Sequence, residues 1–337
     1  MPTCIYPNKD DLKNTSASRT NDWKMLAKTS LFRSKRAKQL AMLLAIRRQF
    51  SEHGVEKLSS AELREAMSSS LLQKSVVQLV RLLKSDRVGI HMMDITVCGA
   101  VAPYNPILGG KLVCLLLCSP EVVQAYRERY RSHVSVIASS MAGKEVRRDP
   151  GLVLLATTSL YGAGSSQYNR LKFAVSSVGG IGADIMAYVE LGRSEGFGSF
   201  HFSQETVRMA HGLLGRQLSG RKVNSIFGEG VNPLMRKMRE ALNLVNLPSE
   251  ILLHHGNKRI VYGVPLAKNF RNILLGLDGK PAYFLPLSDA EVKTARLAEY
   301  WRRRWLAGRI NNAEVLAEVK KHTTSYPIRH GARVELA

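Results

Sequence analysis

A chain of 337 residues, 45% apolar and 23% charged, has the composition of an ordinary globular protein and is long enough for two domains with packed cores. Its charge is unusual: 49 Lys and Arg stand against 27 Asp and Glu, giving +22 and a pI near 10.1. No stretch approaches the roughly 20 apolar residues of a membrane helix, and the opening MPTCIYPNKDDLKN has no apolar export signal, which predicts a cytoplasmic protein without a membrane partner.

The positive charge is segregated along the chain. Residues 1–87 carry 17 basic and 8 acidic side chains, residues 88–202 carry 10 and 8, and residues 203–337 carry 22 and 11. A nearly neutral middle between two basic ends points to a polyanionic partner, nucleic acid before any other. Of the four cysteines, Cys4, Cys98, Cys114 and Cys118, the last two sit four apart on a leucine-rich run with no histidine beside them. They read as small core residues, and no metal site is expected.

Taken in order, residues 1–30 are polar and predict a flexible arm. SKRAKQLAMLLAIRRQFSEHG then predicts a helix ending at Gly54, with apolar residues at Leu40, Leu43, Leu44 and Phe50. Ser59 followed by Glu62 is a capping box that opens a short second helix, and Ser68–Ser70 forms a turn. The third helix, LLQKSVVQLVRLLKSD, is expected to bury Leu71, Val76, Leu79 and Leu83. Three helices with a short second one match the helix-turn-helix pattern over residues 31–88, a strand near Gly89–Thr96 being the only trace of a wing. Gln73, Lys74, Gln78 and Arg81 then line the face that would meet nucleic acid.

The middle, residues 89–202, reads as strands alternating with helices, hence a mixed sheet with helices on its faces. A β-type run from His91 to Val101 breaks at Pro103 and Pro106 and passes through Gly109-Gly110 into an apolar helix from Leu112 to Cys118. Tyr104, Asn105, Gly109, Gly110 and Lys111 form a candidate anion cradle there, because backbone N–H groups and a lysine meet at a helix start. Ser119-Pro120 opens another helix, Ser135–Met141 is expected as a short strand, and Leu152–Leu160 is the clearest buried strand. Ser165, Ser166, Tyr168, Asn169 and Arg170 follow as a polar knot, and Ile185–Leu191 predicts another strand. Glu195 and His201, six apart in a Gly-rich segment, are candidate acid and base, and Tyr168 and Asn169 are the other catalytic candidates. No Walker loop or Gly-x-Ser-x-Gly elbow is present, so neither ATP hydrolysis nor a serine triad is expected.

Residues 203–337 predict a basic, mainly helical region. Ser203 caps one helix, Arg236, Lys237 and Arg239 stand on another, and Lys258–Phe270 is a strand and turn. Trp301-Arg302-Arg303-Arg304-Trp305 lies on a long helix from Asp289 to Leu306, its arginines placed to track phosphates. The tail is expected to pack through Tyr326, Pro327 and Ile328.

The series PYNPILGGKLVCLLLCSPEVVQAYRERY, LATTSLYGAGSSQYNRLK, ELGRSEGFGSFHFSQET, KRIVYGVPLAKNFRNILLG and YWRRRW resembles the DruA family, named for a component of the Druantia bacterial anti-phage system. The resemblance runs from about Leu40 to Val334. It implies a nucleic-acid-binding component of anti-phage defence, DNA before RNA, without its own motor and working with proteins of the same operon. Similar proteins travel in mobile elements, so an accessory DNA-handling factor is the alternative.

The middle is also similar to the GNAT acyltransferase fold, in which a bulged strand and a helix start cradle the pyrophosphate of acyl-CoA. That implies an acyltransferase-like enzyme as a further alternative, with Tyr168 and Asn169 near the thiol. The chain departs from that pattern at Pro106, where GNAT enzymes carry Arg or Gln, and at Lys111, where they carry Gly or Ala, which leaves the cofactor unassigned. The expected architecture is α/β: a mixed sheet with a GNAT-like centre, a helix-turn-helix-like unit before it and the basic helical region after it.

Overall fold

The computed structural model describes residues 22–159, 164, 166–196, 198, 202–217 and 233–321. Asp22 caps the first helix, α1 (Trp23–Lys28), by accepting the Met25 amide at 3.0 Å, and a 23-residue helix, α2 (Ser30–Glu52), follows. Within the described part of the expected arm, Trp23–Lys28 is therefore helical. Leu26, Leu31 and Phe32 are buried with Trp23 and Met141, and that burial holds the segment in place. In α3 (Ser60–Ala66) the capping box forms as expected, Ser59 and Glu62 each satisfying the other's backbone amide. The third helix, α4 (Ser70–His91), is five residues longer at its C-terminal end than the sequence suggested and leads directly into β1 (Met92–Asp94). The strand expected from His91 to Val101 thus shrinks to three residues. The segment near Gly89 forms no wing; β1 joins the central sheet instead.

The chain next forms α5 (Asn105–Leu108), α6 (Lys111–Leu116), α7 (Pro120–Tyr130) and α8 (Val136–Ala142) before β2 (Leu154–Thr158). Ser119 caps α7 as expected. The run expected as a strand at Ser135–Met141 is α8, ended by Gly143 at φ +69. Ser139 and Ser140 are fully buried there; Ser139 accepts the Val146 amide and Ser140 donates to the Val136 carbonyl. A short apolar run does not by itself separate strand from helix.

Beyond β2 lie α9 (Ser166–Asn169), β3 (Lys172–Ala174), β4 (Ile185–Ala187) and β5 (Val189–Arg193). Helices α10 (Gln204–Gln217), α11 (Pro233–Leu244) and α12 (Ser249–Leu252) follow, with Met235, Met238, Leu242 and Leu253 packed among them. Then come β6 (Ile260–Pro265), α13 (Phe270–Leu275), α14 (Ala290–Trp301), a π turn (Arg302–Leu306), α15 (Ala307–Ile310) and α16 (Ala313–Lys320).

The central sheet has the order β1-β2-β6-β5. β1 runs parallel to β2, whereas β6 is antiparallel to both β2 and β5. A separate antiparallel hairpin pairs β3 with β4. β2 reads as a continuous apolar run because both of its faces are covered. Leu155 joins the main core with Cys114, Leu115, Tyr262, Leu297 and Trp301, while Leu154 joins Ala267 and Ile273 on the other face. The main core draws on residues from both sides of the expected boundary at 202/203, since β6 and α14 close it. The expected boundary at 88/89 falls inside α4. The sheet is mixed with helices on its faces, so the α/β class holds. Among the described residues the register shift lies between Glu190 and Gly192 in β5, not in a strand leading to the Gly109-Gly110 turn, as the GNAT resemblance implied.

Candidate functional site

The turn that opens α6 gathers three parts of the chain. Gly109 adopts φ +58, a conformation that L side chains rarely take, and Gly110 caps α6 without any side-chain hydrogen bond. From α15, Arg309 reaches back and donates through Nη1 to the Ile107 carbonyl at 2.9 Å. A Cβ on Gly109 would sit 2.7 Å from that same nitrogen, so glycine is what lets the guanidinium lie against the backbone. From α9, the Gln167 amide lies over Gly110, donating to the Cys98 carbonyl at 3.3 Å and to the Cys114 sulfur at 3.2 Å.

Lys111 is half-buried at this point. Burial pushes its pKa down, and the charges of Arg309 and then Arg170 push it further the same way. Among the described residues none of these three cations lies within ion-pair distance of a carboxylate. Tyr104 and Asn105, expected in the same cradle, are exposed at the start of α5, and neither side chain is hydrogen-bonded to the turn. The sequence grouped Gly109, Gly110 and Lys111 in one turn and Arg170 in a separate polar knot, and nothing in it pointed to Arg309. No local pattern joins residues some two hundred positions apart.

Behind the turn lies a layer of thiols and phenols. The Cys98 sulfur is 3.2 Å from that of Cys114, and the Tyr188 hydroxyl donates to the Cys114 carbonyl at 2.9 Å. The hydrogen bond from Cys114 holds the Cys98 thiol below the ordinary thiol range and drives Cys114 far above it; burial pushes Cys118 up to about 12. Tyr168 is stacked between Tyr188 and Tyr262, with centroids 5.5 and 5.0 Å away, and its burial raises its pKa. Asn169 is exposed. Glu195 is exposed on an extension of β5, where Ser194 pairs with Arg259, and its expected partner His201 lies outside the described residues, as do Ser165 and the tail at Tyr326. Cys114 and Cys118 are core residues as expected; Cys98 differs, standing half-exposed at the edge of the turn.

The expected nucleic-acid contacts divide into two kinds. Gln73, Lys74, Gln78 and Arg81 are all exposed on α4, and Lys74, Gln78 and Arg81 share one ridge at helical spacing. Lys74 and Arg81 have no ion-pair partner among the described residues. Leu71, expected to be buried on this helix, is 59% exposed; Leu72 is buried instead.

The C-terminal cations are more engaged. Arg239 lies 3.7 Å from Glu250, while Arg236 is half-buried and Lys237 exposed. Arg302 forms a two-point pair with Glu299 at 2.7 and 3.0 Å, and Arg303 shares that carboxylate at 3.6 Å. Arg304 stacks on Trp305 at 5.3 Å. Trp301 is core, 4% exposed, and its indole N–H has no acceptor among the described residues.

Comparison with known proteins places these features in context. The family model described as Druantia protein DruA matches residues 83–276, more than half of the chain. The chain is also similar to the Druantia protein DruA of Escherichia coli (strain UMEA 4076-1), with 32% identity over 227 residues, covering 67% of this chain and 50% of that protein. It therefore spans about half the length of that curated relative. No solved structure matches. The family match takes in the sheet and the Gly109-Gly110 turn, but stops short of Lys74 and Arg81 on one side and Arg309 on the other.

Proposed function

The chain belongs to the DruA family, and from that premise we propose that it is a nucleic-acid-binding component of a bacterial anti-phage defence system, its motor supplied by another protein of the same operon. The observation that carries the binding half of this reading is the ridge of Lys74, Gln78 and Arg81, exposed on α4 with both cations unpaired among the described residues. A net charge of +22 supplies the long-range attraction that brings a polyanion to such a ridge. Arg302 and Arg303 contribute less, because Glu299 already holds both.

Electrophoretic mobility shifts with duplex and single-stranded DNA over a salt series test the reading. The wild-type chain is expected to lose affinity steeply with salt, and Lys74→Glu with Arg81→Glu to flatten the log–log slope by about two. Charge reversal at Arg302 should change it less. Affinity that ignores salt, or a slope unmoved by the α4 pair, would set this reading aside.

A further inference from the structure

We propose that Lys111, Arg170 and Arg309 together form a binding site for a phosphate group, carried by a nucleotide or by a nucleic-acid strand, beside the Gly109-Gly110 turn. Three separate segments bring these cations to one place: the turn carries Lys111, α9 packs on Gly110 through Gln167 with Arg170 three residues on, and α15 delivers Arg309. Like charges gathered without a carboxylate repel one another, most strongly where they are half-buried, as Lys111 and Arg309 are. A polar surface holds such an arrangement at a cost that a bound anion removes.

The donor set selects phosphate among anions. One Nη1 proton of Arg309 is committed to the Ile107 carbonyl, and its other N–H groups have no partner among the described residues. A planar carboxylate offers two oxygens, enough for one arginine fork. A phosphate offers three or four around a tetrahedron, matching two forks and a lysine point charge supplied by three segments of the chain. The three side chains carry the site; a helix of six residues, as α6 is, adds little by its own dipole. Binding here does not depend on the α4 ridge, because a free nucleotide would satisfy the site as well as a strand.

Isothermal calorimetry on the full chain tests it with three probes at matched ionic strength: inorganic phosphate, ADP, and a short 5′-phosphorylated oligonucleotide. Saturable heat is expected from at least one. The tightest of the three names the source: ADP for a free nucleotide, the oligonucleotide for a strand. Arg170→Gln, at an exposed side chain, should weaken binding about tenfold or more, and Lys111→Gln similarly. Arg309→Gln should do the same, with circular dichroism to check the fold because that residue also ties α15 to the turn. No saturable heat from any probe, or binding undiminished in both Arg170→Gln and Lys111→Gln, overturns the proposal. A chain that takes ADP through these residues yet shifts no DNA upholds this site and overturns the nucleic-acid reading.

Discussion

Cys98 and Cys114 show how far a side chain's chemistry is set by a neighbour remote in sequence. Their sulfurs lie 3.2 Å apart, and the hydrogen bond between them leaves Cys98 the more acidic thiol and Cys114 the less. Thiolate is the reactive form, so alkylation should follow the same order. Iodoacetamide near neutral pH is expected to label Cys98 well before Cys114 or Cys118, with peptide mass mapping keeping Cys4 separate. The Cys98 rate should rise with pH through a midpoint below that of an ordinary thiol. Equal labelling of Cys98 and Cys118 would contradict the pairing. The sequence showed where Cys114 and Cys118 belong, because a leucine-rich helix buries small residues on one face. It could not show Cys98 against Cys114, nor Arg309 against Ile107, since both depend on the chain returning to the same place.

Elements whose signals are local were legible as elements, whereas those defined by their partners were not. Ser59 and Glu62 close a capping box, and Ser119 before Pro120 starts a helix, because each needs only residues within one turn. α8 escaped because an apolar heptamer suits either state, and buried Ser139 and Ser140 settle it by bonding to nearby backbone. β1 was overdrawn because strand length is set by what pairs with it, and only Met92–Asp94 meet β2. The apolar positions of α2 formed a plausible stripe, yet Leu40 and Leu44 stay more than half exposed. Helix α3 has no fully buried residue, so its stability is largely local. Ser59→Ala should cost that helix about 1 kcal/mol and speed amide exchange over Leu63–Met67 while leaving the global unfolding midpoint in place. A shift of several degrees in that midpoint would mean that α3 supports the core after all.

For the whole molecule, the α/β class followed from alternating signals in residues 89–202, but the division into blocks did not foresee that the sheet recruits its interior strand from the basic region. β6 lies between β2 and β5, and Val264, opposite Leu155, is 1% exposed. Composition separates segments by charge, and packing joins them regardless of charge. Val264→Ala should therefore destabilise the entire fold, by about 2–3 kcal/mol in denaturant unfolding, with the loss seen by every probe at once. A loss confined to α13 or α14 would show instead that the sheet does not unfold as one unit. Net charge belongs to this scale too, because the field of exposed cations sums wherever the chain places them.

The position of β6 also fixes a schedule for biosynthesis. As a ribosome releases the chain, β1, β2 and β5 emerge well before Ile260–Pro265, so β2 is left with one naked side and β5 with no neighbour in its sheet. Two bare hydrogen-bonding rims are a template for any stray strand. The nascent protein is most exposed to misassembly in that interval, and the arrival of a single six-residue segment ends it by zipping both rims together.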